Sequence, residues 1–136
     1  MTFYLGVQIP SFIAAIAPVA GLLYATVPAL PSPVSLLLMS GRSDAVPQHD
    51  ANQAVPDPIS VWDAYLGCTS TAIKSAPGLT TRESVGCARG AVRHIVVDGL
   101  GHAYPGKEAL FGEQSPQAKI DATSVIWGFF KSVPKR

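Results

Sequence analysis

The stretch from Ser32 to Gly41, SPVSLLLMSG, decides the fold. A dipeptide typical of turns stands at each end, and the residues between them are almost all apolar. A short apolar run bounded by turn residues is typical of a strand that is covered on both faces in a parallel sheet. The stretch therefore predicts a buried strand over Val34–Met39 in an α/β domain.

The sequence on either side of this strand alternates between strand and helix patterns. Further strands are predicted over Ile13–Val19, Thr80–Cys87 and Val92–Val97, and helices over Thr2–Ile9, Ile59–Leu66 and Asp121–Phe130. Residues 43–58 are rich in proline and lack periodicity, so they are predicted to form a long loop. This order of elements indicates an α/β sheet whose functional groups lie on the loops after the strands.

Composition limits the number of domains and the kind of partner. The 136 residues are 48% hydrophobic and 14% charged, which fits one globular domain spanning residues 1–136. The formal net charge is +1 and no basic cluster occurs along the chain. Nucleic acid is therefore not expected as a partner.

Residues 1–41 carry no charged side chain, and Phe12–Leu30 is apolar enough to raise the alternative of a membrane segment. However, Pro18, Gly21 and Pro28 interrupt this stretch, and no Lys or Arg flanks it. The basic region of a secretory signal is missing as well. The stretch is interpreted as part of a buried α/β core, and no membrane partner is predicted.

Two loops after predicted strands carry residues that suit catalysis. Asp44 follows the strand Val34–Met39, and His102 follows Val92–Val97 in a glycine-rich segment. Because the carboxyl ends of parallel strands meet at one edge of a sheet, the two residues can meet. A carboxylate bonded to one ring nitrogen fixes the tautomer of an imidazole and leaves the other nitrogen to take a proton from a serine. The alternative is that both residues only form turns.

Five segments resemble the carboxyl half of the polyhydroxybutyrate depolymerase and feruloyl esterase group of the α/β-hydrolase superfamily. The segments are FIAAIAPVAG, PVSLLLMSGRSDAVP, SVWDAYLGC, VDGLGHAYPG and IDATSVIWGFF, and together they extend over nearly the whole chain. The resemblance implies that residues 1–136 form the carboxyl-terminal part of an α/β-hydrolase fold, an incomplete domain with a mostly parallel sheet flanked by helices.

Two motifs carry most of this resemblance. The family pattern H-G-x-x-D-x-x-V-P is matched by Gly41 and Asp44 in register and by Val46 and Pro47 one position early, with Ser40 in place of the histidine. The pattern G-G-G-H-x-W-P-G is matched by Gly99, Gly101, His102, Pro105 and Gly106, with Leu100 and Tyr104 as the departures. The resemblance implies that Asp44 is the acid and His102 the base of a catalytic triad. It also implies that Tyr104 forms an aromatic wall beside the substrate.

The serine of that triad is missing from the sequence. An α/β hydrolase presents its nucleophile in a G-x-S-x-G elbow, and no such motif occurs here. The resemblance implies that the chain lacks the amino-terminal half that carries the elbow, so a complementary half is expected as a partner. Ser11, Ser40 and Ser43 are nearby candidates, but capping or turn roles are favoured for them because none lies in an elbow.

The two cysteines, Cys68 and Cys87, resemble a disulfide of secreted relatives, and the resemblance implies an extracellular protein. The alternative is a pair of free buried thiols. The three histidines, His49, His94 and His102, have no ligand-like spacing with the cysteines, so no metal site and no cofactor are predicted. His94 is interpreted as an ordinary residue of a strand.

The predicted function is serine-type hydrolysis of carboxylic esters, in which His102 takes and returns the proton and Asp44 orients it. The substrates that the resemblance implies are polyhydroxyalkanoates and the hydroxycinnamoyl or acetyl esters of plant polysaccharide. Specificity is expected from Tyr104, Trp62 and Lys107–Ala118, although Trp62 fits a core position equally well. The alternatives are a truncated fragment or relic without catalysis and a membrane-attached protein.

Overall fold

The computed structural model describes residues 1–23, 27–45, 57–106 and 120–134. In these ranges the elements follow the order α1 (Thr2–Gln8), β1 (Ala15–Ile16), β2 (Ser35–Gly41), α2 (Pro58–Leu66), β3 (Ser70–Ala76), β4 (Leu79–Val85), β5 (Val92–Val97) and α3 (Ala122–Ser132). The strands form one sheet in the order β1-β2-β5-β4-β3.

The sheet is mixed, which corrects the predicted fold class. Strand β2 pairs in parallel with β1 and β5, whereas β4 pairs antiparallel with β5 and β3. More residues of the described sheet pair antiparallel than parallel. A mostly parallel sheet, as in the carboxyl-terminal part of an α/β-hydrolase fold, is therefore the wrong description of this domain.

The difference comes from a hairpin formed by β3 and β4. Pro77 and Gly78 connect the two strands, and Gly78 has a φ of 77°. Proline followed by a glycine with positive φ is the composition of a tight turn, which returns the chain beside itself. Strand β3 was not predicted because small and polar residues dominate it, and its Ile73 is 68% exposed. An edge strand with two exposed faces gives no hydrophobic pattern to recognise.

Strand β2 lies inside the sheet and is buried on both faces, as its apolar run predicts. Leu36 and Leu38 face the core cluster that includes α1 and α2, whereas Leu37 and Met39 face the cluster under α3. Successive side chains of a strand point to opposite faces, so an unbroken apolar run supplies both cores. The prediction of a doubly covered strand is confirmed for β2.

The two longer helices have residues that define their ends. The Asp57 carboxylate accepts hydrogen bonds from the backbone N–H groups of Ile59 and Ser60 at the start of α2, and the helix ends at Gly67, whose φ is 68°. Asp121 caps α3 through the N–H of Thr123. Such caps stabilise a helix because they satisfy N–H groups that have no partner within it.

Trp62 belongs to the core. Its side chain is fully buried between α2 and the sheet, and its indole N–H donates to the carbonyl of Val34 over 2.8 Å. The structure therefore does not place Trp62 where it could select a substrate, and the core alternative describes this residue.

The described residues of the apolar stretch Phe12–Leu30, namely 12–23 and 27–30, do not form one long helix. They contain β1 and an isolated parallel bridge from Val19 to Met39, so the predicted strand Ile13–Val19 is shorter than expected. In the ranges that the structure describes, no helix is long and apolar enough to cross a bilayer.

A disulfide joins Cys68 and Cys87, 19 positions apart. It lies just beyond the pair of Ser70 and Val85, the last pair at the open end of the hairpin. The bridge therefore fixes the end of α2 to the connection between β4 and β5.

Candidate active site

The loops after β2 and β5 leave the sheet side by side. Gly41 pairs with Val97 in the parallel ladder, so both strands end at the same edge. Two backbone hydrogen bonds join the loops: the N–H of Arg42 donates to the carbonyl of Val97 over 2.9 Å, and that of Ser43 to the carbonyl of Leu100 over 3.0 Å. The first residues after each strand therefore have fixed positions.

Gly41 permits the close approach of the two loops. A Cβ atom at this position would lie only 2.0 Å from the carbonyl oxygen of Leu100. Leu100 in turn buries its side chain in the core under α3, and Gly99 before it has a φ of 70°. The loop that carries His102 is thus anchored by one buried side chain and by contact with a glycine.

Asp44 and His102 are in contact at the end of these loops. The His102 Nδ1 atom lies 3.1 Å from an oxygen of the Asp44 carboxylate. The Asp44 side chain is only 1% exposed, whereas that of His102 is 44% exposed. A buried carboxylate that holds Nδ1 leaves Nε2 of an accessible ring to exchange a proton.

Tyr104 lies in the same loop as His102, two positions further along the chain, and contacts α3. Its hydroxyl is 3.2 Å from Oγ1 of Thr123, and the side chain is 39% exposed. The N–H of Ala122 donates to the carbonyl of Pro105, which ties the start of α3 to the same loop. The tyrosine side chain is therefore held against α3 and is partly accessible.

The candidate serines lie in different surroundings. Ser11 lies on an exposed turn after α1, and Ser43 is exposed in the turn after β2. Ser40 is part of β2, and its Oγ lies 2.8 Å from Nε2 of His94. Among the described residues, no serine is hydrogen-bonded to His102.

The Ser40–His94 contact was missed by sequence reasoning. His94 pairs with Leu38 in the parallel ladder, which brings its side chain beside that of Ser40. Burial lowers the pKa of His94 below its ordinary value, and the Arg82 charge adds to this effect, while Asp57 opposes it. The only signal in the sequence would have been the register of two strands, which their patterns do not specify.

An ion pair joins the first residues of the two loops, Arg42 after β2 and Asp98 after β5. The Arg42 guanidinium donates to the Asp98 carboxylate and to Oγ1 of Thr80 over 3.2 Å, so it links β4 to both loops. Both charged side chains of this pair are about half exposed.

Several predicted residues lie outside the described ranges. They are Val46, Pro47, His49 and Lys107–Ala118. In the part of the chain that the structure does describe, no group of three or more His, Cys, Asp or Glu side chains could hold a metal ion.

Comparison with known proteins gives no family. No protein-family model matches the sequence, and the search of curated proteins finds no match either.

Proposed function

We propose that this chain supplies the histidine–aspartate pair of a serine esterase that hydrolyses carboxylic esters. The observation that supports this proposal most is the 3.1 Å contact between His102 Nδ1 and the buried Asp44 carboxylate. The resemblance to the polyhydroxybutyrate depolymerase and feruloyl esterase group adds the class of substrate.

In the proposed reaction, a serine attacks the ester carbonyl while His102 Nε2 accepts its proton. Asp44 holds the ring in the required tautomer and stabilises the imidazolium that forms. His102 then returns the proton to the departing alcohol, and water releases the acid in a second cycle of the same steps. Tyr104 offers an aromatic surface for the acyl or hydroxycinnamoyl group.

The nucleophile is proposed to come from a complementary segment, because no described serine contacts His102. A surface near the edge strand β1 is consistent with such a segment. Large apolar side chains of α1 and the turn after it are exposed there: Met1, Tyr4, Leu5, Ile9 and Phe12. Patches of this kind often mark an interaction site.

The proposed location is extracellular, and the disulfide between Cys68 and Cys87 supports it. Disulfides persist in oxidising compartments and are rare where thiols are kept reduced. The proposed substrates, polyhydroxyalkanoates and esters of plant cell walls, are polymers that an enzyme meets outside the cell.

The proposal is tested with p-nitrophenyl butyrate, an activated ester that an imidazole base can hydrolyse through water. We expect slow hydrolysis by the purified chain, reduced by about 100-fold or more in His102→Ala. Asp44→Asn should also lower the rate, because an amide holds the wrong tautomer of the ring.

Asp98→Asn is the matched control, since it removes a carboxylate from the same edge of the sheet that contacts Arg42 rather than His102. Its rate should equal that of the unmodified chain. Equal rates for the unmodified chain and His102→Ala would contradict the proposal and favour the non-catalytic alternative.

A further inference from the structure

A second imidazole in the sheet contacts a serine. Ser40 Oγ and His94 Nε2 are 2.8 Å apart, and both residues are partly buried. Side chains of β2 alternate, so Ser40 projects from the same face as Leu36 and Leu38, the face covered by α2. A hydroxyl within about 3.2 Å of an imidazole nitrogen can transfer its proton to that nitrogen.

The surroundings of His94 keep its ring neutral. Burial is the largest cause of its lowered pKa, and the Arg82 charge on β4 acts in the same direction. Arg82 pairs with His94 across the antiparallel ladder and is held by the Asp63 carboxylate of α2 over 2.8 Å. A neutral ring has one free lone pair, and in the tautomer protonated at Nδ1 this lone pair is on Nε2, which can then accept the Ser40 proton.

An acidic group also acts on His94. The Asp57 carboxylate, which caps α2, raises the pKa of His94 against the larger effect of burial. Its charge would stabilise the imidazolium that forms when His94 receives a proton. The described groups that act on the ring are therefore one cation and one carboxylate.

We propose that Ser40 is a nucleophile activated by His94, and that it accepts acyl or phosphonyl groups from small activated esters. Ser40 Oγ forms a bond to the electrophilic carbon or phosphorus as its proton moves to His94 Nε2. The bond to the leaving group breaks, and the imidazolium gives the proton to that group. The products are the Ser40 adduct and the protonated leaving group.

Two other serines show what sets Ser40 apart. Ser84 lies on the same face of the sheet, but its hydroxyl donates to the Asp63 carboxylate. Ser35 is 2% exposed, and its Oγ accepts from the N–H of Ala91. Neither hydroxyl contacts an imidazole in the described residues, so Ser84 is the matched control.

The proposal is tested by labelling the purified chain with a fluorophosphonate, which loses fluoride when a serine attacks phosphorus. Trypsin cleaves after Arg42 and separates Ser40 from Ser43, and mass spectrometry locates the adduct. We expect label in peptide 1–42, none in that peptide for Ser40→Ala, and about 100-fold slower labelling for His94→Gln. Ser84→Ala should label at the unmodified rate.

A pH profile of the labelling rate distinguishes a His94 that acts as a base from a His94 that is only a structural hydrogen-bond partner of Ser40. The labelling rate should fall as the pH drops through the pKa of His94, which lies below its ordinary value. Arg82 and Asp57 are the described charged groups that act on the ring, and Asp63 holds Arg82, so an Arg82→Gln variant should move the midpoint upward.

A cysteine variant keeps the test valid if Ser40→Ala does not fold. The two native cysteines form the disulfide, so Ser40→Cys carries a single free thiol. Iodoacetamide should alkylate it faster than Ser84→Cys, and faster than the same thiol combined with His94→Gln.

Absence of label in peptide 1–42, or labelling that His94→Gln leaves unchanged, would overturn the proposal. Loss of label in His102→Ala but not in His94→Gln would also overturn it, since Ser40 would then belong to the Asp44 pair.

Discussion

The two halves of the sheet differ in burial and in chemistry. Strands β2 and β5 are parallel neighbours with apolar residues on both faces, and His94 and His102 lie in or directly after β5. The hairpin of β3 and β4 is polar, and most of β3 is exposed. The buried half therefore positions both histidines, while the hairpin joins that half through the antiparallel pairing of β4 with β5 and through the disulfide.

The largest difference between the halves should appear in stability. Leu37 is fully buried in β2, so Leu37→Ala should lower the free energy of unfolding by about 2–5 kcal/mol through lost contacts and a cavity. Ile73→Ala on β3 should change it by no more than about 0.5 kcal/mol, because that side chain is already exposed. Urea denaturation measures both, and equal losses would show that the hairpin is as tightly packed as β2.

Removal of the disulfide should affect the hairpin first. A Cys68→Ala, Cys87→Ala double variant should lose about 3 kcal/mol of stability, since a bridge across a loop of this length restricts the unfolded chain. Hydrogen exchange should rise in β3 and β4 more than in β2. Uniform exchange across all strands would mean that the two halves unfold as one unit.

Gly41→Ala tests the contact between the two loops at the end of the buried half. The added methyl group would meet the Leu100 carbonyl, so we expect a loss of about 1–3 kcal/mol and altered NMR signals of His102.

Gly128→Ala is the control for that change, because nothing lies near the added methyl group on α3. A helix favours alanine, so this variant should gain about 0.5–1 kcal/mol. Unchanged stability in Gly41→Ala would show that the loops can separate without cost.

The smallest effect is a pH dependence from His94. Its folded pKa is lower than its unfolded one, so the unfolded chain binds more protons and stability should decrease as the pH falls below about 6.5. His94→Gln should remove that part of the slope between pH 8 and 5.5. The carboxylates with shifted pKa values, Asp57 and Glu83, titrate below this window because both values are lowered.

The sequence predicted the elements whose patterns are strong. The apolar run of β2, the strand β5 and the capped helix α3 are observed close to their predicted bounds. The parallel pairing of β2 with β5 also brings Asp44 to His102, as their positions after the two strands predicted. The catalytic role of the pair stays a prediction.

The features that the sequence did not predict depend on information that one sequence does not contain. Strand β3 has no apolar stripe, and its pairing comes from the turn at Pro77 and Gly78. The contact of Ser40 with His94 depends on the register of two apolar strands, and a shift of one residue would turn either side chain to the other face.

The hairpin is tied at both ends: the disulfide closes its open end, and the N–H of Asp98, at the start of the histidine loop, donates to the carbonyl of Gly78 at its tip. This has a practical consequence for producing the protein. A bacterial cytosol keeps thiols reduced, so chains made there lack the covalent link at the open end of the hairpin. Export to an oxidising compartment, or oxidative refolding, is the appropriate route to material for every measurement above.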